Sequence, residues 1–423
     1  MFGWVIIVFF VSFNYHMGME LNNYIFSNRD NLVNLTTKKF LPLDSSAEVL
    51  REHHFLKGQE QESVEKALFD VKPKSFEIKI IPTWECNLRC SHCFVLHELV
   101  KKDENRIDIE GLVKFIRAYV KKYPSVESGR FQFIGGEPAL RSKFNCEIIT
   151  AIKNLCEEIG LKHYIGCTTN GYELNDDILE FYRVLDGFTV SVDGPKHLHD
   201  KQRKPLLPCL PNLSPFDKTI QTIKTLVKSG MRDKITVQAS LDDDGFNEEV
   251  ITSFYKTLLM AGIKYESIMF GTIVPTAKKP EMQNKFVEVC ANRPYTNVCC
   301  KYRMMHDFVV DSSNNIFCDY FDADQGNCLG KLSDDIEKLA KEHKKIITAE
   351  MSVLNDDKCK KCPVIGICWG WCCNTKHMIP SEHCSPDNLQ RRVEENGKVG
   401  NLKNFLVDYR KYDVTMKGLT ILQ

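Results

Sequence analysis

The run Phe76-Glu77-Ile78-Lys79-Ile80-Ile81, followed by Pro82-Thr83-Trp84-Glu85-Cys86-Asn87-Leu88-Arg89-Cys90-Ser91-His92-Cys93-Phe94, decides how the rest of this chain is read. Phe76–Ile81 alternates apolar and polar residues and predicts a strand, which Pro82 ends. Downstream the periodicity switches repeatedly between helix and strand. Helices are predicted at Asp108–Tyr123, Asn145–Ile159, Asp176–Tyr182, Phe216–Ser229 and Asn247–Ala261. Strands are predicted at Phe131–Ile134, His163–Thr168, Phe188–Val192, Ile235–Leu241 and Ser267–Ile273. Six β/α units imply an α/β fold with a parallel sheet and helices packed outside it. They are too few for a closed eight-stranded barrel, so an open partial (β/α)6 barrel is expected. In such barrels chemistry lies at the C-terminal ends of the strands, which is where the first cysteines fall.

Cys86, Cys90 and Cys93 form a C-x3-C-x2-C loop, compact enough for three thiols to meet on one cubane. Cubanes generally take four thiolates; three leave one iron open to a ligand. A structural zinc site is the alternative, with His92 or His97 as fourth ligand.

This loop, with an aromatic residue after it, resembles the radical SAM superfamily. Phe133-Ile134-Gly135-Gly136-Glu137-Pro138 is similar to that family's Gly-Gly-Glu-Pro element, and Thr168-Thr169-Asn170-Gly171 to its Thr-Asn-Gly turn. Ser191-Val192-Asp193-Gly194-Pro195, followed by His199-Asp200 and Arg203, is similar to its Ser-x-Asp-Gly-Pro element. The resemblance implies a [4Fe–4S] cluster on Cys86, Cys90 and Cys93 that binds S-adenosyl-L-methionine and, once reduced, releases a 5′-deoxyadenosyl radical. It implies that Gly135, Gly136 and Glu137 meet the ammonium end of that cofactor, Ser191 and Arg203 its carboxylate or ribose, and Phe94 its adenine. It also implies an electron donor such as flavodoxin or ferredoxin.

Farther on, Cys359-x2-Cys362-x5-Cys368-x3-Cys372, followed by Cys384, resembles the SPASM domain, which binds two auxiliary [4Fe–4S] clusters. By that pattern Cys359, Cys362, Cys368 and Cys384 hold the outer cluster and Cys300, Cys318 and Cys372 the inner one. Its fourth ligand stays open among Cys290, Cys299 and Cys328, and Cys373 competes with Cys372. Ser313 and Phe317 stand where the family pattern has Gly and Pro. A two-zinc domain is the alternative, since C-x2-C pairs suit zinc equally. Asp319 follows Cys318 at the place where related sulfatase-maturing enzymes carry an Asp thought to take a proton during substrate oxidation. The resemblance implies that catalytic role here; a surface Asp is the alternative.

The chain has 423 residues, 43% of them hydrophobic, with 56 Lys plus Arg against 56 Asp plus Glu. With a formal net charge of zero, no global field draws nucleic acid or an anionic membrane, and neither is an expected partner. The 18 cysteines suit metal-bound thiolates in a reducing cytoplasm better than a secreted disulfide framework, which belongs mostly to short chains. The apolar leader Phe2–Phe13 is shorter than the roughly twenty residues of a membrane span and lacks a basic flank.

Four regions are expected: an N-terminal extension at 1–72 with a hairpin-like piece over Asn23–Leu43, the barrel at 75–275, the Cys-rich domain at 285–390 and a helical tail at 391–423. The extension suggests contact with a peptide leader by strand addition, or a simple cap over the barrel. The function implied is a maturase that oxidises or cross-links a ribosomally made peptide or protein. The rivals are a sulfatase-maturing enzyme forming formylglycine from Cys or Ser, and a non-catalytic iron–sulfur protein.

Overall fold

A computed structural model of the chain describes residues 15–16, 19–27, 31–35, 37, 39–70, 72–93, 95, 99–100, 102–206, 214–241, 248–272, 306–318, 320, 328–350, 355 and 357–361. The leader, the expected tail and most of 285–390 lie outside these. Described residues within Met1–Val71 and Glu342–Asp413 belong to one compact unit, and those within Lys72–Lys279 and His306–Lys341 to another. No helix among the described residues is long and apolar enough to cross a membrane.

In the first unit, Ile25–Ser27, Asn31–Asn34 and Lys39–Pro42 form a three-stranded antiparallel sheet. The sequence reading expected a two-stranded hairpin here. A third strand forms because Phe40 and Leu41 resume the apolar pattern after a polar break, pairing with Val33 and Leu32. Leu21, Leu32, Leu41, Leu50 and Phe55 form the core of this piece.

The second unit carries the β/α alternation. Its elements are β1 (Ser75–Ile80), α1 (Ile109–Lys122), β2 (Ser128–Phe133), α2 (Ser142–Ile159), β3 (Lys162–Thr169) and α3 (Asp176–Val184). They continue with β4 (Gly187–Ser191), α4 (Pro215–Leu226), β5 (Ile235–Leu241), α5 (Glu248–Met260) and β6 (Ile268–Thr272). Each of β1 to β5 pairs in parallel with the next. Alternating residues such as Ile78, Ile80, Phe131, Phe133, Val190 and Val237 have no exposed surface, and burying each contributes on the order of 2 kcal/mol. On α1, Leu112, Phe115, Ile116 and Tyr119 make the inward stripe, and Asp108 caps the helix by accepting from the Gly111 N–H at 3.0 Å.

Among the described residues the sheet stays open. On the side of β1 away from β2 lies β7 (Asp307–Val310), also parallel, followed by antiparallel β8 (Asn315–Phe317) and β9 (Cys328–Lys331). These three strands come from beyond the point where the sequence alternation stops. Predicted strand starts also fell short. β2 opens at Ser128 rather than Phe131 because Ser128-Gly129-Arg130 pairs with Ser75-Phe76-Glu77, and backbone pairing is indifferent to side-chain polarity.

Candidate active site

β1 to β4 end at Ile80, Phe133, Thr169 and Ser191, and each runs into one of the elements singled out in the sequence. The cysteine loop is held in a way the sequence does not announce. Leu88–Cys90 is a short strand paired antiparallel with Arg203–Pro205, placing Cys90 opposite Arg203. Ser91 N–H donates to Gln202 O at 2.9 Å and Leu206 N–H to Asn87 O at 2.8 Å. Residues 202–206 are therefore a backbone template for the loop.

Burial, then the Glu137 carboxylate, pushes the Cys86 thiol up to about 12. Burial also pushes Cys90 to about 11, against the opposing pull of Arg203. Polar groups already address these sulfurs. Leu88 N lies 3.4 Å and Asn170 Nδ2 3.9 Å from Cys86 Sγ, and Arg203 Nη1 lies 3.8 Å from Cys90 Sγ.

The Gly-Gly-Glu-Pro loop is bonded to the residues leading into Cys86. Gly136 N–H donates to Thr83 O (3.2 Å) and Glu137 N–H to Glu85 O (2.7 Å). Gly135 sits at φ +127°, and a Cβ there would lie 2.7 Å from Ile81 Cγ2 and 2.9 Å from Thr83 O. The buried Glu137 carboxylate accepts from Thr169 Oγ1 (2.7 Å), Asn170 N–H (2.7 Å) and Ala139 N–H (3.0 Å). It fastens the second strand end to the third, and burial nevertheless raises its pKa.

Behind the cysteines, Asp193 takes a bidentate pair from Arg203, with Nε to Oδ2 at 2.6 Å and Nη2 to Oδ1 at 3.0 Å. Ser240 N–H adds a bond to Oδ1 at 3.0 Å, and His92 Nε2 lies 3.6 Å from Oδ2. Burial alone would raise the Asp193 carboxyl, but Arg203 and then His92 hold it below its usual range. His199 Nδ1 accepts from the Asp193 N–H at 3.2 Å, and burial lowers the pKa of this histidine to about 4.

A second support was not anticipated. Ile81, Trp84, Val95, Val309 and Phe317 form an apolar cluster against which Cys93, Ile134 and Tyr320 pack. Asp103, also buried, accepts from Trp84 N–H (3.0 Å) and Ser312 Oγ (2.7 Å). Arg141 pairs with Glu85 at 3.0 Å. Nothing local marks these residues, since Asp103 and Ser312 are 209 positions apart.

The structure thus brings Cys86, Cys90, Cys93, Gly135, Gly136, Glu137 and Arg203 to one rim, with Ser191 at the end of β4. Cys318 is buried directly after β8, and Cys359 lies in the short helix Asp357–Lys360, its side chain outside the described ones. Phe94, Asp319, Cys300, Cys362, Cys368, Cys372 and Cys384 lie outside the described residues, as do Cys290, Cys299 and Cys373. Cys328 is exposed on β9, where its Sγ donates to Gly330 O at 3.0 Å.

No three metal-ligating side chains among the described residues are arranged around a single ion. The fit of the loop to a cluster rests on donor chemistry: three soft thiols within electrostatic reach of one another, those of Cys86 and Cys90 raised by burial and met by N–H donors. Two further buried groups have polar atoms without partners, Gln202 at Nε2 and Oε1 and His199 at Nε2.

Residues 80–258 match the family model for the radical SAM superfamily. The serine-type anaerobic sulfatase-maturating enzyme of Bacteroides thetaiotaomicron is 30% identical over 199 residues, 45% of this chain and 44% of that protein. The chain thus spans less than half the length of that relative. Among solved structures, native anSMEcpe with bound AdoMet and Cp18Cys peptide superposes with a TM-score of 0.51 at 19% identity, covering 79% of this chain and 99% of that one. Streptococcus suis SuiB bound to precursor peptide SuiA gives 0.50 at 13% identity, covering 84% and 95%. These structures share the fold. The residues that form the rim all lie within the stretch, 80–258, that matches the radical SAM superfamily.

Proposed function

We propose that this chain is a radical SAM maturase acting on a peptide or protein, with its [4Fe–4S] cluster on Cys86, Cys90 and Cys93. The observation that carries this reading is the bonding of Gly136 and Glu137 to Thr83 and Glu85, which ties the Gly-Gly-Glu-Pro loop to the residues leading into Cys86. When bound, the reduced cluster and S-adenosyl-L-methionine supply a 5′-deoxyadenosyl radical that takes a hydrogen atom from a substrate C–H bond. The chain's own residues hold the parts in place. Arg203, itself fixed by Asp193, steadies Cys90; Glu137 holds the Thr169-Asn170 turn, and the apolar cluster around Trp84 keeps water from that side. Gly135, Gly136, Ser191 and Phe94 would meet the cofactor.

Peptide-bound relatives of the same fold support a peptide substrate, with the outer strands of the 25–42 sheet as the place where a leader would add. We further infer two auxiliary [4Fe–4S] clusters, one on Cys359, Cys362, Cys368 and Cys384, the other on Cys300, Cys318 and Cys372. Asp319 would accept the proton released as the substrate radical is oxidised; unchanged product formation by Asp319→Asn would remove that role. A flavodoxin or ferredoxin would supply electrons.

The test is anaerobic reconstitution with iron and sulfide, then reductant and S-adenosyl-L-methionine, with 5′-deoxyadenosine read by mass spectrometry. The product should appear in the wild type and vanish when Cys86, Cys90 and Cys93 are replaced together by Ala. Its absence from a fully iron-loaded wild type, with or without peptide, would sink the reading. A second reading, formylglycine formation, is favoured by the 30% identity to a sulfatase-maturating enzyme. An aldehyde formed on a sulfatase peptide carrying Cys or Ser would select it.

A further inference from the structure

We propose that Tyr320 is a positioning residue that holds the Gly135 end of the cofactor loop against the cysteine loop, so that this one side chain sets how tightly S-adenosyl-L-methionine is held. The Tyr320 hydroxyl donates to Gly135 O at 2.7 Å. Its ring stacks on Trp84, with centroids 6.2 Å apart and planes 8° from parallel. Trp84 is itself fixed, its N–H bonded to Asp103 and its carbonyl accepting from Val100 N–H at 3.1 Å. Cys93 packs against the same apolar cluster as Tyr320.

Tyr320 therefore touches both loops of the rim from a chain position 185 residues from Gly135. The bond matters because of where it lands. Gly136 and Glu137 are bonded through their N–H groups to Thr83 and Glu85, whereas Gly135 is anchored by this carbonyl contact from outside the β/α units. A residue at φ +127° lies in backbone space that residues other than glycine rarely adopt. Without the hydroxyl, the peptide unit joining Gly135 to Gly136 is held on its N–H side alone, by Thr83 O, and the backbone offered to the cofactor is less firmly oriented.

This inference rests on the radical SAM reading above. The experiment is equilibrium titration of S-adenosyl-L-methionine into reconstituted wild type and Tyr320→Phe, with iron content and thermal midpoint measured on the same samples. Loss of one hydrogen bond predicts affinity weakened by about 3- to 10-fold in Tyr320→Phe. The iron content should be unchanged, and the change in the reduced cluster's EPR signal on adding the cofactor should be altered. Affinity within about twofold of wild type would overturn the role of Tyr320 while leaving the radical SAM reading intact. Loss of iron together with affinity would also overturn it, assigning Tyr320 to the folding of the cysteine loop. Failure of the wild type itself to bind the cofactor would overturn both.

Discussion

Arg203 and Asp193 form a buried bidentate ion pair whose remaining guanidinium nitrogen faces Cys90 Sγ at 3.8 Å. The pair ties the end of β4 to the strand that templates the cysteine loop. Removing one partner would leave the other as an uncompensated buried charge. Asp193→Asn should cost about 3–5 kcal/mol in urea unfolding. Replacing both, as Asp193→Leu with Arg203→Met, should cost less than the sum of the two single changes. Additive costs would show that the two side chains do not act as a pair.

Gly136 leaves no room for a side chain. A Cβ there would overlap the carbonyl oxygen and carbon of Glu85, both backbone atoms. Glu85 O is also the acceptor of the Glu137 N–H, so the strain falls on the bond that joins the two loops. Gly136→Ala should destabilise the protein by roughly 1–3 kcal/mol and weaken cofactor binding more than Gly160→Ala. Gly160 ends α2 in open space, so its variant serves as a measure of backbone strain alone.

Where α1 packs against Phe76 of β1 and Phe308 of β7, Tyr119 Oη lies 2.6 Å from His306 Nδ1. Burial lowers the His306 pKa from 6.5 to about 4. The folded value lies below the unfolded one, so the unfolded chain binds the extra proton first as the pH drops. This site's contribution therefore declines as the pH falls from about 6.5 to about 4, by up to about 3 kcal/mol. His306→Gln should flatten the pH dependence of stability in that window relative to wild type. A wild-type-minus-variant difference that is constant between pH 7 and pH 4 would refute this.

The parallel order of β1 to β6 and the placing of four elements at strand ends were legible because both depend on local patterns. Period-two apolar runs and the spacing of Cys86, Cys90 and Cys93 are each contained within a few residues. What holds those elements together is not local. Cys90 meets Arg203, Asp103 meets Ser312 and Gly135 meets Tyr320 across 113, 209 and 185 positions, respectively. The backbone ladder over 202–206 carries no apolar alternation, because its N–H and C=O groups pair whatever the side chains are. β7 escapes notice for a related reason: it adds to an existing edge at β1 and needs no helix to return it to the sheet. Sequence alone determined which groups are available for chemistry at this rim. Tertiary structure decided which buried charges and carbonyls hold them there, because burial makes an unpaired group costly and only the folded chain supplies its partner.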